Sequence, residues 1–169
     1  MAIRIEKENL GSRTPGARIK ANSPAFVIYK GTLLIREKNS TDGAIELRPF
    51  VNADVAAGLI PDGLAIDQNV QNPIQGPNGN TVGDGYDYTD FNRGGLVATI
   101  DDAQVWIKGN GLVKADDTWT VGTAVYWDGG NARYTDTSSA TTIKVGKLMD
   151  KILTGTDVTE ILVNIVDFA

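Results

Sequence analysis

The feature that most constrains this chain is its punctuation. Short β-branched and aromatic runs recur along it, separated at roughly 8–12-residue intervals by clusters of Gly, Asn and Asp. The 19 glycines, many of them beside Asn or Asp, favour turns over helices. Expected strands are Ala25–Tyr29, Thr32–Arg36, Ala44–Arg48, Gly63–Asp67, Gly95–Ile100, Ala103–Lys108, Val121–Trp127, Ala132–Thr135, Thr142–Leu153 and Val158–Phe168. The first two flank Lys30-Gly31 and read as a hairpin, and Asn39-Ser40-Thr41-Asp42-Gly43 reads as a strong turn. Asp101-Asp102 is a further turn. One short helix is expected over residues 52–60, capped by Asn52 and ended by Pro61. The pattern predicts a mostly β chain, an antiparallel β-sandwich or a barrel-like domain.

Two segments stand apart. Residues 1–24 read as an extended N-terminal arm, because Gly11-Ser12-Arg13-Thr14-Pro15-Gly16 interrupts any regular element. Residues 25–169 then form a single β-rich domain, with a long polar loop at 69–92 that carries Tyr86, Tyr88 and Phe91. Aromatic residues on such loops are frequent at protein interfaces.

Charge separates the same two parts. Residues 1–38 hold eight Lys and Arg against three Asp and Glu, whereas residues 39–169 hold eight against eighteen. The whole chain is at −5, which disfavours a phosphate backbone as partner, so no nucleic acid is expected. A basic tail that aids solubility and a basic arm that docks on an acidic surface both fit. If the arm docks, Ile3, Arg4, Ile5, Lys7, Leu10, Arg13, Arg18 and Lys20 are its contact residues, joined by Tyr86, Tyr88 and Phe91 of the loop. The sequence holds no apolar run of about 18 residues, so no membrane partner is expected, and Met1–Glu6 lacks a signal-peptide core.

Reactive chemistry is scarce. The chain has no histidine and no cysteine. That removes His-dependent triads, thiol nucleophiles, disulfides and the usual transition-metal ligands, and no catalytic residue, metal or cofactor is expected. Asp101/Asp102 and Asp116/Asp117 sit at turns, where Asp serves its own backbone, and adjacent strand residues face opposite ways. Asp84, Asp87 and Asp90 are the best calcium candidate, but their spacing departs from the Asp-x-Asp-x-Asp-Gly loop. Gly109–Lys114 lacks the ending of a phosphate loop. A glycan-active enzyme would need carboxylates such as Glu37, Glu46 or Asp90, yet Glu46 alternates like a solvent-facing strand residue. Trp106, Trp119 and Trp127 offer either a sugar-stacking platform or ordinary core packing.

One stretch carries a resemblance. Trp119-Thr120-Val121-Gly122-Thr123-Ala124-Val125-Tyr126-Trp127-Asp128 is followed by Asn131–Thr135, by Ile143-Lys144-Val145-Gly146-Lys147-Leu148 and by Glu160–Ile165. This order resembles small tailed-phage and prophage head proteins, regarded as capsid decoration (cement) proteins or minor capsid components. The likeness covers about the last 50 residues and, more loosely, the region from Gly95 onward. It implies a structural virion protein without an active site, bound as a homotrimer to the outer surface of the major capsid protein shell and stabilising it. A virion-associated carbohydrate- or receptor-binding β module is the alternative, with the tryptophans and loop 69–92 as its site.

Overall fold

The computed structural model describes residues 2–8, 13–19, 27–29, 31–65, 85–87, 96–100, 102–108 and 111–166; side chains are described for residues 31–65, 99–100, 102–108 and 111–166. Among the described residues thirteen strands and one helix follow in the order β1 (Ala2–Glu8), β2 (Arg13–Ile19), β3 (Val27–Tyr29), β4 (Leu33–Lys38), β5 (Ile45–Pro49), α1 (Asn52–Ala56), β6 (Gly63–Ala65), β7 (Gly85–Asp87), β8 (Leu96–Ile100), β9 (Ala103–Lys108), β10 (Ala124–Asp128), β11 (Arg133–Thr135), β12 (Thr142–Thr154) and β13 (Asp157–Ile165). The molecule is mostly β, as the spacing of turn signals predicts.

Two antiparallel sheets face one core. The larger runs β1-β9-β13-β12-β10-β11. The smaller is β5-β4-β6-β8, open by itself. Strand β2 pairs antiparallel with β8 and, through Arg18 and Ile19, parallel with β5, so a ring of five strands closes through it. The remaining pair, β3-β7, forms a ribbon of its own. Apolar side chains alternate inward on β9, where Ala103, Val105 and Ile107 are buried, and on β13, where Ile161, Val163 and Ile165 are. They meet Leu33, Ile35, Leu64 and Ile100 of the smaller sheet in a single buried cluster.

Several local expectations change. Val27–Tyr29 does not fold back on Leu33–Lys38; it pairs with Gly85–Asp87, and β4 pairs with β5 and β6. The real hairpin is β4–β5, whose turn is closed by Asn39 N–H donating to Ala44 O (2.8 Å) and by the Asn39 side chain accepting from Thr41 N–H (2.7 Å). The helix spans only five residues and begins after Val51, so Asn52 is its first residue and not its cap. It is held instead by Asp54, which accepts from Val51 N–H (2.9 Å). The interruption expected at residues 11–16 is a register shift inside β2, between Thr14 and Ala17. Pro15 has no N–H to give a ladder, and a bulge accommodates it. Between β8 and β9 the chain changes sheets at Asp102, whose φ of 43° lies in the left-handed region Asp tolerates.

Candidate functional site

The segment from Trp119 to Leu148 is the structural keystone. Trp119, Trp127 and Tyr134 are fully buried. The Trp127 indole N–H donates to Phe50 O (2.9 Å), and the Tyr134 hydroxyl donates to Gly31 O (2.6 Å). Their rings meet edge to face, 5.0 Å between centroids. Both side chains stand on the larger sheet and reach backbone at the rim of the smaller, so the pair clasps the two sheets. Burial pushes the Tyr134 hydroxyl well above its ordinary pKa, which keeps it a neutral donor.

Two of the four glycines in this stretch, Gly122 and Gly146, have clear physical reasons. Gly122 has φ 92° in the turn that Thr123 N–H closes on Thr120 O (3.1 Å), a conformation β-carbon residues rarely adopt. At Gly146 an added Cβ would lie 2.2 Å from Asn164 O, so the close approach of β12 to β13 excludes any side chain there.

Asp117 organises the loop that precedes this stretch. Its carboxylate accepts from Lys114 Nζ, Thr135 Oγ1 and Asp136 N–H. Burial acts to raise its pKa, but those donors outweigh it and hold the group below its usual value. Asp136 in turn accepts from Trp119 N–H (2.7 Å), and the Trp119 indole donates to Lys114 O (2.6 Å). The result lays residues 112–114 along β11, with Tyr134 N–H donating to Leu112 O and Lys114 N–H to Tyr134 O. That covers the β11 edge. Asp116 points to solvent, so the doublet is a turn device with one member buried.

The other carboxylates are also structural acceptors. Arg48 grips Asp54 with two bonds (2.6 and 2.7 Å) and gives its Nε–H to Glu37 (2.7 Å). The hydrogen bond to Asp54, together with Glu37, raises the Arg48 pKa despite burial. Asp62 takes Arg36 (2.5 Å) and the Thr99 hydroxyl (2.5 Å). Glu46 corrects an expectation: it is buried at 2% exposure and accepts from Asn39 Nδ2 (2.9 Å), while Ile45 before it is 46% exposed. Alternation of polarity fails here because β5 is covered on both faces: Leu47 next to Glu46 is fully buried too, and β2 lies beside β5 with Arg18 in register with Glu46. Glu37 and Glu46 are therefore committed to holding strands together. Among the described residues no cluster of three acidic side chains forms a metal site. Asp84 and Asp90 lie outside the described residues, and of Asp87 only the backbone, in β7, is described.

The residues expected to make contacts are spread over three sheets. Ile3, Arg4, Ile5 and Lys7 lie on β1, in register with Ile107, Trp106, Val105 and Gln104 of β9. Arg13 and Arg18 lie on β2, opposite Ile100 and Leu96 of β8. Tyr86 lies on β7, opposite Ile28. Leu10, Lys20, Tyr88 and Phe91 fall outside the described residues. Trp119 and Trp127 are at 0% exposure, so they form no stacking platform for a sugar; Trp106 is half-buried.

The structure adds surfaces that the sequence reading missed. Ile152 and Leu153 are exposed toward the far end of the β12–β13 ribbon, Met149 earlier on β12 and Val121 in the turn beside Leu148, and Val51, Leu59 and Ile60 are exposed around α1. The signal was present: the doublets Leu148-Met149 and Ile152-Leu153 break the alternation that a strand with one buried face shows. Beside the ribbon, Lys108, Val113, Ala115, Ile152, Val158 and Glu160 line an open cavity of about 450 Å³. On its charged wall Lys108 bonds Glu160 at 2.9 Å, and Asp157 adds a further carboxylate.

A family model described as phage cement protein matches residues 78–165, more than half of the chain. The chain belongs to the phage cement protein family. That family is structural and non-enzymatic, and membership gives the chain a cement role on the phage capsid, with the virion capsid as its location. The match begins well before Trp119 and takes in β7 to β13. No curated protein matches the chain.

Proposed function

We propose that this cement protein binds the outer surface of the major capsid protein shell and stabilises it through protein–protein contacts, after assembly in the host cytoplasm. The family match over residues 78–165 carries the reading. The chemistry agrees with it: the buried carboxylates described above serve as strand-to-strand acceptors, and the aromatic side chains with the greatest bulk fasten the two sheets. A rigid body that presents surfaces is what such a role requires. The resemblance of the Trp119–Val166 stretch also suggests a homotrimer, and the basic residues of 1–24 suit an acidic surface on a neighbouring copy or on the shell.

The test mixes the purified protein with undecorated shells. Saturable, stoichiometric binding and a higher shell-disruption temperature are expected; failure to bind overturns the reading. Deleting residues 1–24 would also take away β1 and β2, so charge reversal of Arg4 and Lys7 is the cleaner probe of the N-terminal contact. It should weaken binding most at low salt.

A further inference from the structure

The ladder geometry isolates one part of the larger sheet. Pairing of β10 with β12 ends at Ala124 and Lys147, and pairing of β9 with β13 ends at Lys108 and Glu160. The β12–β13 ladder continues past both, to Thr154 opposite Asp157. Among the described residues β12 therefore has no strand on its outer side past Leu148, while β13 keeps β9 as far as Glu160, opposite Ile152; only the tip, from Leu153 to Val158, lies beyond both neighbours. Register shifts next to Met149 and between Ile152 and Leu153 kink the ribbon. Met149 (41%), Ile152 (41%) and Leu153 (52%) are exposed on it, and Val121 (54%) lies beside it, since Gly122 N–H donates to Leu148 O (2.8 Å).

Clustered apolar exposure of this kind marks an interaction surface. Exposure alone does not choose among the candidates, because Leu59 (43%) and Ile60 (62%) beyond α1 are as exposed. The family match does choose. Leu59 and Ile60 lie outside residues 78–165, as do β1 and β2, whereas Val121, Met149, Ile152 and Leu153 all lie within. What family members share is the capsid role, so the surface that performs it belongs to the shared part of the chain. Among the described residues of that part, these four are the large apolar side chains left exposed. Their surroundings are close to neutral, Lys147 and Lys151 standing with Asp150 and Asp157, in a chain whose residues 39–169 are strongly acidic. The ribbon thus suits an uncharged patch.

We infer that the outer edge of β12 that β10 leaves uncovered, with Val121, Met149, Ile152 and Leu153, is the surface that meets the capsid shell, and that its partner there is an apolar patch on the shell protein. The inference rests on the capsid-binding reading and names the face that executes it.

The decisive experiment compares shell binding and oligomeric state for wild type, Ile152→Asp/Leu153→Asp, the milder Leu153→Ser, and a control, Leu59→Asp/Ile60→Asp. Thermal melting verifies the fold of each. The ribbon double variant should lose about tenfold or more in shell affinity, as removal of a central anchor does. Leu153→Ser should lose less, and the control should bind like wild type with all oligomeric states unchanged. If wild type itself ignores shells, the capsid-binding reading fails. If wild type binds and the folded ribbon variants bind equally, only this inference falls. Loss of self-association with shell binding retained would make the ribbon a contact between copies and overturn it. So would equal loss in the control. Should the double variant not fold, Leu153→Ser alone decides between reduced and unchanged binding.

Discussion

The stretch from β4 to β6 and the stretch from residue 111 to β13 solve one problem, holding β-strands in a two-sheet body, by different means. The first uses ions. Arg48 ties β5 to α1 and β4 through Asp54 and Glu37, and Arg36 with Thr99 ties β4 to β8 through Asp62. The second uses bulk. Trp119, Trp127 and Tyr134 fill the space between sheets, and each spends its polar atom on a backbone carbonyl. The difference teaches where tolerance lies. An ion network fails when one partner is left buried and alone. An aromatic wedge fails in proportion to the volume removed.

The largest effect should come from the wedge. Trp127→Ala leaves a cavity and an orphaned Phe50 carbonyl, and should cost about 4 kcal/mol in urea unfolding. Arg48→Ala takes the counter-charge from the Asp54 carboxylate, which is 5% exposed and keeps only neutral donors such as Val51 N–H, and should cost about 3 kcal/mol. A Met at position 48 together with Asp54→Asn should recover part of that loss, which an aromatic site would not allow. Next comes Asp117→Asn, at about 2 kcal/mol near pH 7. Its sign with pH is fixed by the lowered pKa of Asp117. The stabilisation is complete above the unfolded carboxylate value of about 4 and is lost as pH falls through the folded value. The gap between wild type and Asp117→Asn should therefore close on acidification; a gap that widens would refute the assignment. Least of all, Leu153→Ser should alter unfolding by no more than about 0.5 kcal/mol, because the side chain is already wet.

How legible this was in the sequence differs along the same divide. In the C-terminal part, strands follow one another as near neighbours, so Val121–Trp127, Ala132–Thr135, Thr142–Leu153 and Val158–Phe168 are found close to where turn residues place them. Earlier in the chain, partners are distant. Val27–Tyr29 finds β7 rather than its neighbour, and no local pattern encodes that choice. Glu46 was misread for a related reason: whether a polar strand residue is buried depends on what lies beside it, here a strand from residues 13–19. The structural family was legible through Trp119–Leu148, because tryptophans and glycines in close contact leave a rigid spacing. The exposed ribbon was harder, since apolar doublets in a long strand look like ordinary core unless the ends of the neighbouring ladders are known.

The position of that final hairpin has a consequence for biosynthesis. Strands β12 and β13 are late in the sequence yet sit at the centre of the larger sheet, between β9 and β10. Tyr134 and Trp127 likewise reach back across 103 and 77 residues to their acceptors. A ribosome must therefore deliver nearly the whole described chain before the sheet can close, and such long-range pairing makes for slow folding. Fragments released early would lack the middle of the sheet, so only chains translated through β13 would complete the two-sheet body.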